Sequence, residues 1–187
     1  MNPSALLLER LGALIHQSVR EDAARHGLLP IHVQVLGYLA QANRYSNLPI
    51  AIAEYFGITR GTVSQTLAVL ERKGLLVKRP DPKHGRRIHL ELTAAGTAVL
   101  DGSWAQRLDA ALQTAGGEEG ELDTGLRRVL TELQRLNGQR AFGICRQCVH
   151  FQGEPANATC GLTGEPLAEE QTGRLCREWS QAGGQGS

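Results

Sequence analysis

Cysteine is absent from the first 144 positions of this chain, and four cysteines then occur between residues 145 and 176. Long apolar runs are also absent, because no stretch approaches the roughly 20 residues that a membrane helix requires. The short run ALLL near the N-terminus is followed at once by Glu9 and Arg10, so it does not predict a secretory signal. We therefore expect a cytoplasmic protein without membrane contact, in a compartment that keeps thiols reduced.

The composition is that of a globular protein. Apolar residues make up 41% of the 187 residues and charged residues 21%, which excludes a disordered chain. This length suits one main domain with a small addition. We predict a main domain at 1–140, a cysteine-rich module at 141–180 and a disordered tail at 181–187.

The net charge of +1 conceals a strong local asymmetry. Residues 58–87 contain eight lysines and arginines but only two acidic residues, so this segment carries about +6. A local excess of this kind is typical of a surface that meets phosphates. The segment is therefore a candidate for binding nucleic acid.

Helical periodicity and turn residues organise the first half of the chain. Residues 4–25 predict one amphipathic helix, and the run after Pro30 predicts a second. Two short helices follow, joined by the sequence FGIT, with Asn47 as the expected N-cap of the first and Thr59 as that of the second. Gly74 is the expected end of the second helix. Two short helices joined by a glycine-containing turn indicate a helix-turn-helix.

A basic hairpin and two long helices are predicted next. Residues 75–79 (LLVKR) and 87–92 (RIHLEL) have strand character, and PDPKHGR forms the tip between them. A long helix is expected from Thr93, marked by Leu100, Trp104, Leu108 and Leu112. After a break at GGEEG, another is marked by Leu126, Val129 or Leu130, Leu133 and Leu136. We expect these helices to pack on a second copy, together with the first helix.

The order of these elements resembles the MarR family of bacterial transcription regulators. The resemblance extends from about residue 10 to residue 137, and its densest part is ITRGTVSQTLAVLERKGLLVKRPDPKHGRRIHLELTAAG. It implies a mainly α fold with a small β-wing, in which a winged helix-turn-helix homodimer binds a double-stranded DNA operator. It also implies that the helix from Thr59 to Lys73 enters the major groove, while the wing tip enters the flanking minor groove.

The resemblance also places individual residues at the DNA. On the helix, the implied positions are Thr59, Arg60, Gly61, Thr62, Ser64, Gln65 and Thr66. On the wing, they are Lys83, His84, Arg86 and Arg87, with Arg86 at the position of the minor-groove arginine. His84 stands where the family has an acidic residue, so we expect Asp81 to substitute as the carboxylate that holds Arg86.

The sequence offers little support for an enzyme. It contains no recognisable pairing of nucleophile and base, no phosphate-binding glycine loop and no paired carboxylates suited to hydrolysis. We therefore predict that the protein is not an enzyme.

The four cysteines predict a metal module. Cys145, Cys148, Cys160 and Cys176 are separated by two, 11 and 15 residues. A segment of this size with few apolar residues does not fold without a cross-link. In a reducing compartment, a metal held by four thiolates supplies that cross-link and part of the folding energy.

The spacing favours an iron-sulfur cluster over zinc. A structural zinc site usually takes its ligands as two close pairs, whereas this segment has only the pair Cys145 and Cys148. Dispersed single thiols suit an iron-sulfur cluster, with [4Fe-4S] favoured over [2Fe-2S]. The spacing also resembles the small cluster-binding fold of high-potential iron-sulfur proteins. Zinc is the alternative, and a thiol-disulfide switch is a third interpretation.

These inferences combine into one prediction and two rivals. We predict a repressor whose operator binding is controlled by the C-terminal cluster, sensing redox state or iron through the short link from Leu136 to Cys145. The main rival is a regulator with a structural zinc tail that contacts a partner, while a small molecule binds in the cleft between the dimer helices and the winged domain. A further rival is a redox accessory protein built on a winged-helix scaffold.

Overall fold

The computed structural model describes residues 2–82, 84–115 and 120–181. The predicted wing residue Lys83, most of the predicted GGEEG break and nearly all of the predicted tail lie outside these residues. The chain folds as two compact units. The first comprises the described residues of Met1–Ala40, Thr66–Val77 and Leu92–Gly116, and the second those of Gln41–Gln65, Lys78–Glu91 and Gly117–Ser187.

The structure is mainly helical, as predicted, with a small two-stranded wing. The helices are α1 (Pro3–Arg25), α2 (Pro30–Gln41), α3 (Pro49–Phe56), α4 (Arg60–Arg72), α5 (Ala94–Ala98), α6 (Trp104–Ala115), α7 (Glu121–Leu136) and α8 (Glu169–Thr172). The wing strands are β1 (Leu76–Pro80) and β2 (Ile88–Leu92). The remaining strands are short: β3 (Gly143–Ile144), β4 (Phe151–Gln152), β5 (Ala158–Cys160), β6 (Pro166–Leu167) and β7 (Leu175–Cys176). Within the described residues, no helix is long and apolar enough to cross a membrane.

A buried carboxylate holds α1 and α6 together in the first unit. Asp22 is only 1% exposed. It accepts hydrogen bonds from the backbone N–H of Trp104 at 2.6 Å and from the guanidinium of Arg107 at 3.0 Å, and it also pairs with Arg25. Because Trp104 is the first residue of α6, this carboxylate satisfies an N–H that the helix itself leaves free.

The long helix predicted from Thr93 is wrong, because the structure breaks it into α5 and α6. Thr93 caps α5 by accepting a hydrogen bond from Gly96 N at 3.0 Å, but α5 ends at Ala98. Gly102 then adopts a left-handed conformation with φ of 64°. Its N–H donates to the side chain of Gln106 at 2.8 Å, so the turn is stabilised before α6 begins.

The helix-turn-helix follows the predicted turn residues with one exception. Gly57 ends α3 in the left-handed conformation, and Thr59 caps α4 by accepting from Thr62 N at 3.1 Å, as predicted. Asn47 does not cap α3, because the N-cap position is Leu48. The Asn47 side chain instead bonds the ring of His89 in the wing, with Oδ1 and Nδ1 2.7 Å apart.

Two small antiparallel sheets build the cysteine-rich segment in the second unit. The strand β3 pairs with β7, which places Gly143 opposite Cys176. A three-stranded sheet has the order β4-β5-β6 and places Phe151 opposite Cys160. A side chain at Gly143 would meet the ring of Trp179 at 2.5 Å, so glycine is what allows this ring to lie against β3.

Candidate nucleic-acid interface and thiol cluster

One face of α4 presents most of the residues implied at the DNA. Val63, Leu67 and Leu70 are buried and anchor the helix. The exposed residues are Thr59, Arg60, Gly61, Thr62, Ser64 and Gln65. Thr66 does not belong to this face, because it is only 4% exposed and lies on the buried side of the helix. The structure therefore removes Thr66 from the implied surface.

The wing carries its cations at an exposed tip. His84, Arg86 and Arg87 are all exposed. The carboxylate of Asp81 accepts from the backbone N–H of His84 at 3.0 Å, and it lies 3.9 Å from Arg87 and 3.2 Å from His89. In the described part of the wing, Asp81 thus holds Arg87 and His89, and the expected pairing with Arg86 is not formed.

A cationic groove lies between the start of α3 and the wing. Its volume is about 550 Å³. The lining residues are Leu48, Pro49, Ile50, His84, Arg86, Arg87, Ile88 and Arg177. Three guanidinium groups and an apolar wall make a concave surface suited to an anionic backbone.

All four cysteines share one small core. Cys145 and Cys176 are buried with Trp179, and Cys148 and Cys160 are partly buried against them. None of the four forms a disulfide. The core is completed by Ala158, Leu167, Phe151 and neighbouring side chains. Residues separated by up to 31 positions in sequence are thus gathered in one place.

The Cys145 and Cys176 thiols change each other's pKa. A thiol-to-thiol hydrogen bond, burial and the nearby Cys160 and Cys148 raise the pKa of Cys145 far above its usual value. The same bond lowers the pKa of Cys176 to about 7. Within this pair, negative charge is therefore favoured on the Cys176 sulfur over the Cys145 sulfur.

Buried N–H groups around these sulfurs fit a thiolate-bound group. Trp179 Nε1 and Asn43 Nδ2 are buried and complete no hydrogen bond within the described residues. Such unsatisfied donors are costly, and thiolates or an anionic cluster would accept from them. The backbone N–H of Ser180 already donates to Cys148 Sγ at 3.4 Å. Across 2–82, 84–115 and 120–181, however, no three His, Cys, Asp or Glu side chains are placed as ligands of one ion.

The cysteine-rich segment also binds the loop between α2 and α3. Asn43 N donates to Leu175 O at 2.9 Å, and Arg44 N donates to the Gln171 side chain at 2.9 Å. The carboxylate of Glu165 accepts from both Arg44 and Tyr45 at 2.9 Å.

Arg177 extends this attachment to α3. Its guanidinium binds Glu54 through two hydrogen bonds of 2.6 and 2.9 Å, and its backbone N–H donates to Ser46 Oγ at 2.7 Å. The two bonds from the Arg177 guanidinium lower the pKa of Glu54. The sequence gives no local sign of the roles of Asn43, Arg44, Tyr45, Glu54 and Arg177, because a bond between residues 123 positions apart leaves no pattern in a short segment.

Comparison with known proteins supports the winged helix-turn-helix. Residues 26–87 match the model of the MarR family. This part of the chain is similar to the MarR family. The chain is 32% identical over 104 residues to an uncharacterised HTH-type transcriptional regulator of Bacillus subtilis, YkoM. That alignment covers 52% of this chain and 64% of YkoM.

Two solved structures share the fold. The S. aureus MepR-DNA complex superimposes with a TM-score of 0.53 at 22% identity, covering 71% of this chain and 96% of MepR. CouR from Rhodococcus jostii RHA1, solved with p-coumaroyl-CoA, gives a TM-score of 0.52 at 25% identity. It covers 72% of this chain and 92% of CouR.

Proposed function

We propose that this protein is a DNA-binding transcriptional regulator that acts as a repressor. The observation that carries the proposal is the exposed polar face of α4 together with the cationic groove at the wing, in a segment that matches the MarR family model. YkoM is named as a transcriptional regulator, and MepR has been solved with DNA, which supports the same role here.

The two surfaces have different tasks on the DNA. Arg60 and Gln65 lie on the exposed face of α4, where a guanidinium or an amide makes bidentate contacts to base edges in the major groove. Arg86 at the wing tip suits the narrow minor groove, which concentrates negative potential. Arg87 faces the groove near α3 and would contact phosphates, which fix the position of the protein without reading sequence.

The operator would be bound by a homodimer. Large apolar side chains are exposed along α7, namely Leu122, Leu126, Val129, Leu130, Leu133 and Leu136. Those exposed on α1 are Leu6, Leu7, Leu11 and Leu14. Stripes of this extent mark a contact surface, and a second copy of the chain would cover both. Two copies would then present two copies of α4 to the two half-sites of a pseudo-palindromic operator.

The thiol core would hold an iron-sulfur cluster, with [4Fe-4S] favoured over [2Fe-2S] and zinc as the alternative. Its ligands would be Cys145, Cys148, Cys160 and Cys176, whose gathering in one core supports the proposal. Such a cluster makes the site sensitive to iron supply and oxidants. The unsatisfied donors of Asn43 and Trp179 would stabilise thiolate or sulfide charge.

A second candidate keeps the regulator but changes the signal. CouR was solved with p-coumaroyl-CoA, so a MarR-type fold accommodates a small molecule. In this version, zinc only stabilises the fold of the cysteine-rich segment, and that segment contacts a partner. A small molecule is then sensed elsewhere in the dimer.

Metal analysis separates these candidates. Protein purified without oxygen should be brown and contain about four irons and four sulfides per chain if it holds [4Fe-4S]. Colourless protein with one zinc per chain would favour the second candidate. Protein that contains neither iron nor zinc after this purification would contradict both candidates.

DNA binding is tested by selecting duplexes from a random library and measuring affinity for the selected sequence. Replacing Gln65 with alanine should relax the preference at particular bases, by about 1–3 kcal/mol for a lost bidentate contact. Replacing Arg86 with alanine should weaken binding across sequences and reduce its salt dependence. The reverse pattern would contradict the roles given to α4 and the wing, and a failure to enrich any sequence would contradict the regulator itself.

A further inference from the structure

The adjacent residues Cys176 and Arg177 have side chains that contact different parts of the protein. The Cys176 side chain is 5% exposed and lies in the thiol core. The Arg177 side chain is 18% exposed and binds Glu54 of α3 through Nε and Nη2 of its guanidinium, while Nη1 donates to Glu178. A bidentate pair of this kind fixes direction as well as distance. A shift of the backbone at Cys176 would therefore also move the Arg177 side chain, which is bonded to Glu54 of α3.

A buried hydrogen-bond network joins Leu175 and Arg177, the two residues that flank Cys176, to the loop before α3. Arg177 N donates to Ser46 Oγ at 2.7 Å, and Ser46 Oγ donates to Asn43 Oδ1 at 2.9 Å. Asn43 N in turn donates to Leu175 O at 2.9 Å. Asn43 is 1% exposed and Ser46 0%, so water does not substitute for a lost partner in this network.

The loop held in this way is also bonded to the wing. Asn47 Oδ1 lies 2.7 Å from His89 Nδ1, and Asn47 O accepts from Leu90 N at 2.8 Å. Arg177 itself lines the cationic groove beside Arg86 and Arg87. One loop thus connects the cysteine-rich segment to α3 and to the wing.

We propose that Arg177 is a positioning residue through which occupancy of the four-cysteine site sets the placement of α3 and the wing, and hence operator affinity. The inference rests on the proposed function and names the route by which the thiol site regulates it. This route differs from the link between Leu136 and Cys145, because it runs through side chains that touch the helix-turn-helix directly. A loaded site fixes Cys176, and Arg177 then holds Glu54 in one place.

The test uses zinc(II) as the probe, added to reduced, metal-free, full-length protein. Zinc uptake, amide hydrogen exchange of residues 42–57 and affinity for the selected duplex are measured for each variant. Two variants break the ion pair between Arg177 and Glu54: Arg177→Lys keeps the charge but not the paired geometry, and Glu54→Gln leaves the sequence of the cysteine-rich segment unchanged. Arg174→Ala is the control, because the guanidinium of Arg174 bonds Glu170 O within the same segment.

In the unmodified protein, zinc should slow amide exchange in residues 42–57 and change duplex affinity on the order of tenfold. Arg177→Lys and Glu54→Gln should each take up one zinc per chain, yet show less than a third of the change in amide exchange and in duplex affinity. Arg174→Ala should show both changes in full. A full response in Arg177→Lys and Glu54→Gln would overturn the inference. Zinc uptake with no exchange response in the unmodified protein would overturn it too, and would leave the proposed function standing. Failure to take up zinc would instead remove the proposed thiol site on which the inference rests.

Discussion

The contact between α5 and the start of the wing gives the sharpest stability prediction. Gly96 lies in α5, and a Cβ atom added there would come within 1.9 Å of Leu75 O and 2.9 Å of Leu75 C. Both atoms belong to the backbone, so no side-chain rotation relieves the overlap. Replacing Gly96 with alanine therefore requires α5 to move away from Leu75 by about 1.5 Å to restore an ordinary contact.

The cost follows from the bonds that such a movement would break. Thr93 N donates to Leu75 O at 3.2 Å, and Thr93 Oγ1 donates to Gly74 O at 2.7 Å. Losing two hydrogen bonds costs about 2 kcal/mol, and overpacking adds roughly 1–3 kcal/mol. The better helix propensity of alanine offsets about 1 kcal/mol. We therefore expect Gly96→Ala to lower the free energy of unfolding by about 3 kcal/mol.

The assay is urea unfolding followed by circular dichroism at fixed protein concentration. Gly37 of α2 provides the matched control, because a Cβ atom there would meet nothing within 4 Å. Gly37→Ala should raise the free energy of unfolding by about 0.5–1 kcal/mol, since it only improves helix propensity. If Gly96→Ala behaves like Gly37→Ala, the close packing of α5 on Leu75 is refuted.

Three further substitutions test other parts of the structure. Asp22→Ala removes the buried acceptor of Trp104 N and should cost about 3 kcal/mol in urea unfolding, whereas a cost below about 1 kcal/mol would show that water replaces the carboxylate. Arg177 lowers the pKa of Glu54 in the folded protein. This ion pair therefore stabilises the fold above the unfolded Glu pKa of about 4.3, and the stabilisation is lost as pH falls through the folded-state pKa of Glu54. The stability difference between the unmodified protein and Glu54→Gln should therefore shrink from pH 7 to pH 3, and a difference independent of pH would contradict the pairing. Leu133→Asp places a charge on the apolar stripe of α7 and should give monomers in sedimentation velocity with weakened operator binding, unless α7 lies outside the dimer interface.

Local signals in the sequence predicted the helix-turn-helix well. The cap at Thr59 and the glycine ends at Gly57 and Gly74 depend on backbone groups only a few residues away, so a short segment specifies them. The buried position of Thr66 was also readable, because Thr66 lies three residues after Val63 and four before Leu70, both of which face inward. The family resemblance took precedence over that periodicity and gave the wrong face.

Tertiary contacts decided the elements that the sequence did not predict. The leucine pattern after Thr93 continues through Leu100 to Leu112, so periodicity alone favours one long helix. The chain breaks there because Gly102 takes a left-handed conformation and Asp22 satisfies the first N–H of α6. Asn47 has the composition of an N-cap, but its side chain is bonded to a histidine 42 positions later. Partners this distant leave no local trace.

The polar loop NRYSN, residues 43–47, shows why the cysteine-rich segment is integral to its compact unit. The loop is rich in polar side chains, yet Asn43 and Ser46 are almost fully buried. Buried polar groups need partners, and the backbone groups of Leu175 and Arg177 supply them here. A chain that ended near residue 140 would leave these groups without those partners. The same bonds that satisfy the loop therefore place Cys176 of the thiol core next to Arg177, which holds α3, as the proposed control of DNA binding requires.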